Sequence, residues 1–169
     1  MYIISVIIIA VDQLVKFLIR TNMTHHQSIP IIKNFLHISY VKNTGMAFGM
    51  FPGINMIFRV IATIVVICII IFERRGKIKT PVERICFGMI LGGAAGNLID
   101  RYVCGFITDF VDFRIFPVFN IADSCIFIGA CLLFIVYFRN NPKPGDESIT
   151  ITPEEEVKTQ PDTDSGDNL

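Results

Sequence analysis

Charge is scarce in this chain of 169 residues: Asp, Glu, Lys and Arg make up only 18%, against about 25% in an ordinary soluble domain. Hydrophobic residues reach 52% and mean hydropathy is +0.57, so a soluble globular reading starts badly. The five cysteines, Cys68, Cys86, Cys104, Cys125 and Cys131, form no CxxC and lie mostly in apolar runs. An odd, dispersed set supplies neither a disulfide framework nor a zinc site. The histidines His25, His26 and His37 have no acidic or cysteine partner at ligand spacing, so no metal and no cofactor are expected. There is no GxSxG, no HExxH and no Ser/His or Cys/His pairing, which removes the common nucleophilic and zinc hydrolases. A clustered basic face with aromatics, as nucleic-acid binding requires, is also missing. The net charge of zero hides a segregation: residues 1–139 carry a net +6, and residues 140–169 a net −6.

What is present is apolar and arranged in four stretches, at about 2–19, 54–72, 82–99 and 121–138. A bilayer core of about 30 Å takes about 20 helical residues, so these are expected to be four transmembrane helices of a mainly α membrane protein. The first stretch has no basic leader, contains Asp12 and Lys16 and has no A-x-A site; it therefore reads as a span rather than a signal peptide. Arg74, Arg75, Lys77, Lys79 and Arg84 crowd the second connection, and Arg139 and Lys143 follow the fourth span. Lys/Arg-rich connections stay in the cytoplasm, so both termini are expected there, with segments 20–53 and 100–120 outside. HISYV at 37–41 alternates as a strand does, and 106–119 mixes β-formers with carboxylates. A small β-rich platform of short strands is therefore expected on the outer face of the membrane. The expected organisation is a 1–139 membrane domain followed by an acidic 140–169 tail too polar to fold.

Several polar residues stand out against this background. Asp12 and Lys16 are four residues apart on one helix face, and charges within a span mark a partner or a site. Gly88, Gly92 and Gly96 form a small-xxx-small ridge for close helix approach. Asn97, Asp100 and Arg101 share one face at the end of that span. There Asp100 meets the unfavourable end of the helix dipole and needs a cation, either Arg101 or a distant Lys. Asp109 and Asp112 alternate to opposite faces of an extended segment, where taken alone they read equally well as solvated loop carboxylates. Asn120 and Asp123 read as the N-cap and third residue of a helix. Asn43, Asn97, Asp100, Arg101, Asp109, Asn120 and Asp123 all map to one membrane boundary. Two carboxylates held close cannot both ionise, and such a pair can activate water and protonate a carbonyl. A proton-coupled transporter or channel subunit would place its sites at the midplane between repeats, and no repeat is visible. A non-catalytic membrane assembly factor is the remaining alternative.

DQLVK at 12–16, NTGMAFG at 43–49, GGAAGNLIDR at 92–101, ITDFVDF at 107–113 and FNIAD at 119–123 occur in that order. Together they resemble the bacterial lipoprotein signal peptidase (signal peptidase II) family over about residues 2–138. The resemblance implies a metal-independent aspartyl endopeptidase of the bacterial inner membrane, with its active site near the outer face. Its implied substrates are prolipoproteins carrying diacylglycerol on a cysteine, cut just before that cysteine. It also implies Asp109 and Asp123 as the catalytic dyad, with Asp109 favoured over Asp112 because the loop aspartate lies nine residues after the Asp of GNLIDR. Asp12, Lys16, Asn43, Asn97, Asp100, Arg101 and Asn120 are the implied supporting residues. The tail lies outside the resemblance.

Overall fold

The computed structural model describes residues 1–45 and 54–140. Positions 46–49 of the NTGMAFG motif, and the acidic tail beyond Asn140, lie outside the described residues. Four long helices, α1 (Tyr2–Asn22), α2 (Ile54–Arg74), α3 (Pro81–Val103) and α4 (Ile121–Asn140), carry the apolar stretches. At 20 to 23 residues each and about 1.5 Å per residue, they match the thickness of a bilayer core. Each runs a few residues past its expected apolar limit, because Arg20, Arg74, Arg101 and Arg139 in the last turns are good helix formers that suit the C-terminal dipole. The start of α3 is set locally. Pro81 follows the N-cap Thr80, whose hydroxyl accepts from the Glu83 N–H at 3.1 Å, while the Glu83 carboxylate accepts from the Thr80 N–H at 2.9 Å.

Helix α3 is central and packs on α1, α2 and α4. Its glycines permit this. A Cβ added at Gly92 would come 2.9 Å from Ile8 Cβ of α1, and one at Gly93 would overlap the Ala122 carbonyl oxygen of α4. The ridge thus opens in two directions, which the 88/92/96 spacing alone did not reveal. The outward faces remain greasy: Ile3, Met56 and Phe127 are each more than 70% exposed, as lipid-facing side chains would be.

A three-stranded antiparallel sheet sits where α1 and α3 end and α4 begins. Its strands are β1 (Ser28–Ile32), β2 (Leu36–Asn43) and β3 (Ile107–Asp112), in the order β1-β2-β3. Strand β2 contains the expected HISYV segment, and β3 falls within the expected 106–119 region. Strand β1 was not anticipated, since SIPII is short, contains a proline and is exposed throughout; edge strands tolerate proline. Ile19, Tyr40 and Phe110 form a small buried cluster with Val15, Ile38 and Ile121 packed on it, and so fasten the sheet to the helix ends.

Among the described residues the interior is rich in polar groups. The largest fully buried side chains are Lys16, Asn120, Thr108, Asp12, Asp100, Asp109 and Cys86, nearly all polar.

Candidate active site

The polar centre is assembled from five elements. From α1, Lys16 Nζ lies 2.8 Å from Asp12 Oδ2 and 3.3 Å from Asp100 Oδ2, and donates to Asn97 Oδ1 at 2.8 Å. The Asp12–Lys16 pair is therefore not self-contained. It reaches across to α3 and, through Asp12 Oδ1 accepting from the Ala122 N–H at 3.0 Å, to the first turn of α4. Gly96 leaves the room for this: a Cβ there would sit 2.8 Å from Asp12 Oδ2. The cation that Asp100 needs is not Arg101 but Lys16 together with Arg20, whose Nη1 lies 3.2 Å from Asp100 Oδ1. Arg101 instead lies over the Phe58 ring at 5.8 Å, with its charge acting on Asp123 and Asp109.

Asp109 and Asp123 are brought together by asparagines. Asn43 Nδ2 donates to Asp109 Oδ2 at 2.9 Å, and Asn120 Nδ2 donates to Asp109 Oδ1 at 2.6 Å. Asn97 Nδ2 donates to Asp123 Oδ1 at 2.7 Å, and Asn97 Oδ1 accepts from Asn120 Nδ2 at 3.2 Å. Asn120 and Asp123 also cap α4 reciprocally: the Asp123 N–H donates to Asn120 Oδ1 at 2.9 Å, and the Asn120 N–H to Asp123 Oδ2 at 3.3 Å. The expected cap is present, and the same two side chains also line the polar centre. Asn43 is itself fixed by a turn in which its Oδ1 accepts from the Gly45 N–H at 2.9 Å, with Gly45 at φ 76°.

The solvated-loop reading of the β3 carboxylates is overturned, since Asp109 is 2% and Asp112 7% exposed. Their environments differ as their alternation requires. Asp112 accepts from the Ser39 hydroxyl at 2.7 Å and the Arg114 N–H at 2.8 Å. Burial works to raise its carboxyl, but Ser39 and the Arg114 backbone and guanidinium outweigh this and hold it below the ordinary carboxylate range. Burial pushes the Asp109 carboxyl up to about 6, the Asp123 charge adds to the rise, and the Asn43 and Asn120 amides oppose it. One of the two β3 carboxylates is thus tied into a local ion pair, and the other is raised to about 6 beside a second carboxylate.

Asp123 also borders a recess of about 600 Å3 lined by Phe116, Phe119, Ser124, Phe127 and Ile128. A smaller recess of about 330 Å3 lies at the other end of the bundle, lined by Lys77, Glu83 and apolar groups; there Glu83 is committed to its cap. Among the described residues no three His, Cys, Asp or Glu side chains are grouped to hold a metal ion.

The sequence reading missed Gln13, Arg20, Thr108 and Ser39. Arg20 had a usable signal, because 12, 16 and 20 continue one i, i+4 row. Gln13 donates to Asp100 Oδ1 at 3.2 Å and to the Gly96 carbonyl at 3.0 Å. Thr108 and Ser39 take their importance from tertiary neighbours and had no such signal.

The sequence model of the family described as Signal peptidase (SPase) II matches residues 4–139. The chain is 45% identical over 145 residues to a lipoprotein signal peptidase of Halothermothrix orenii, covering 86% of this chain and 99% of that protein. It is 41% identical to one from Moorella thermoacetica, over 76% of this chain and 86% of the relative. A solved bacterial membrane enzyme, determined by the in meso method, superposes with a TM-score of 0.76 at 31% identity, over 87% of this chain and 92% of that one.

Proposed function

The chain belongs to the signal peptidase II family, and from that premise we propose that it removes signal peptides from prolipoproteins in a bacterial membrane, with Asp109 and Asp123 as its catalytic dyad. The observation that carries the assignment is the pair of asparagines, Asn97 and Asn120, that bond to each other and to one carboxylate each. They fix two carboxylates at one depth while leaving Asp123 partly open to the apolar recess.

Asp109, raised to about 6 by burial and the Asp123 charge, is the member of the pair that carries the shared proton when it is present. Asp123, at the third position of α4, accepts from the Asn120 N–H at 3.3 Å. Asp123 then accepts a proton from the attacking water while Asp109 protonates the scissile carbonyl oxygen. The tetrahedral adduct collapses as a carboxyl proton passes to the leaving nitrogen. The titration belongs to the pair.

The substrate is a prolipoprotein whose cysteine carries diacylglycerol, cut just before that cysteine. Its acyl chains partition into lipid, which brings the peptide bond to the depth of the dyad, and the recess beside Asp123 offers apolar walls. The site faces outward and both termini are cytoplasmic; the basic connection between α2 and α3 lies at the opposite end of the bundle from the dyad. Residues 1–139 form the peptidase domain, and the 140–169 tail is not needed for cleavage.

The test is turnover of a diacylglyceryl-modified precursor peptide by purified variants. Asp109→Asn and Asp123→Asn should each abolish cleavage without loss of folded protein, because Asn keeps the volume but cannot exchange the proton. Asp112→Asn should retain substantial activity. A wild-type rate in either dyad variant refutes the assignment, and a dead Asp112→Asn beside an active Asp109→Asn transfers the role to Asp112.

A further inference from the structure

We propose that Arg20 is a positioning residue for this reaction: from the last turn of α1 it holds Thr108 and, through the strand, sets where the neighbouring Asp109 carboxylate stands. Arg20 Nη1 lies 3.2 Å from Asp100 Oδ1 and donates to the Thr108 hydroxyl at 3.1 Å. The Thr108 backbone N–H in turn donates to Asp100 Oδ2 at 3.0 Å. One guanidinium and one carboxylate thus clamp a single residue by both its side chain and its main chain, joining the ends of α1 and α3 to the start of β3.

The clamp acts where the sheet is least able to. The β2–β3 ladder is regular from Asn43↔Ile107 to Val41↔Asp109, then shifts register between Val41 and Ile38, next to Asp109. Irregular pairing lets a strand bend and twist. Successive side chains point to opposite faces, so Thr108 is held from one face by Arg20 while Asp109 is held from the other by Asn43 and Asn120. A strand pinned from both faces cannot roll about its axis, and that roll would carry the Asp109 carboxyl away from Asp123.

Charge balance alone does not account for Arg20. Asp100 already has Lys16 at 3.3 Å, a Gln13 amide and the Thr108 N–H. The second contact of Arg20 goes to a neutral hydroxyl on a residue that is 0% exposed. The Arg20 side chain itself remains 21% exposed, so removing it opens no sealed core.

The inference rests on the dyad reading, and the two fail separately. The experiment measures kcat and KM of the full-length protein on a lipidated precursor, per folded molecule. Arg20→Met should lower kcat about tenfold, as small displacements of reacting groups do, with KM little changed. Arg20→Lys should recover most of the loss. Thr108→Val should show a similar loss, and Thr108→Ser, which keeps the hydroxyl, should not. In the double variant Arg20→Met/Thr108→Val the losses should not multiply, because both changes break one connection. A wild-type kcat in Arg20→Met, or losses that multiply, overturns the proposal. If Arg20→Met folds poorly, equal kcat in Thr108→Val and Thr108→Ser overturns it as well. An active Asp109→Asn would sink the dyad reading itself, whereas a dead Asp109→Asn beside an unimpaired Arg20→Met sinks only the role of Arg20.

Discussion

Replacing Lys16 with methionine removes the one fully buried cation among the described residues of the polar centre and strands its partners unequally. Asp100 keeps Arg20 at 3.2 Å, the Gln13 amide and the Thr108 N–H. Asp12 keeps only neutral donors, the Ala122 N–H at 3.0 Å and the Gln13 amide at 3.3 Å. Asp12, Lys16 and Asp100 are all 0% exposed, so water cannot replace the lost ammonium. Breaking a buried pair from one side costs about 3–5 kcal/mol, a large part of the roughly 5–15 kcal/mol that holds an ordinary domain together. Lys16→Met should therefore fold in low yield. Adding Asp12→Asn discharges the stranded carboxylate while keeping an acceptor for the Ala122 N–H, and should restore most of the yield. Adding Asp100→Asn instead should restore less, because Asp100 was not stranded. Monodisperse protein recovered in mild detergent, and resistance to unfolding in a denaturing detergent, report the three variants on one scale. If Lys16→Met/Asp12→Asn is no better than Lys16→Met, or if the Asp100→Asn combination rescues more, Asp12 is not the principal partner and the reasoning fails.

Other expectations follow from the same geometry. Asp109 is raised from 3.8 to about 6, so the shared proton is present at low pH and lost as pH rises through about 6; kcat/KM should fall over that interval in a pH-rate profile. The same sign applies to folding, where the contribution of protonated Asp109 is complete below the unfolded value and disappears as pH rises through about 6. Asp112→Asn should leave that limb of the profile in place, because Asp112 is held low by Ser39 and Arg114. Gly93→Ala should cost about 1–3 kcal/mol of stability and lower the rate per folded molecule, since the added methyl overlaps the Ala122 carbonyl one residue before Asp123; a cleavage assay beside a folding control checks this. A reporter fused after Asn140 should be active only on the cytoplasmic side, and truncation at Lys143 should leave cleavage intact.

The helices were legible because a bilayer imposes one length and one composition on a span, and Tyr2–Asn22 and Ile121–Asn140 satisfy both. The Asn120–Asp123 cap was legible because capping is local. The cation for Asp100 was not, since Lys16 and Arg20 lie at least 80 positions away in the chain, and only the packing of α1 on α3 chooses them over adjacent Arg101. The burial of Asp112 was hidden for the same reason: Ser39, its principal partner, is 73 residues distant. Strand β1 was hidden because SIPII buries nothing, so no alternation was selected into it. The motif residues were legible one by one, but the bonds among them belong to the tertiary fold.

The 2.8 Å contact between Asp12 and Lys16 spans a single helical turn, and this bears on how the chain enters a membrane during synthesis. The first helix leaves the ribosome long before α3 exists, so it meets the lipid without Asn97 or Asp100. Two opposite charges one turn apart can neutralise each other within that helix alone, so it crosses as a nearly uncharged rod. The ammonium is then shared with Asp100 only when α3 arrives. The pair serves first as a travelling companion for its own helix and afterwards as the socket into which the later helices dock.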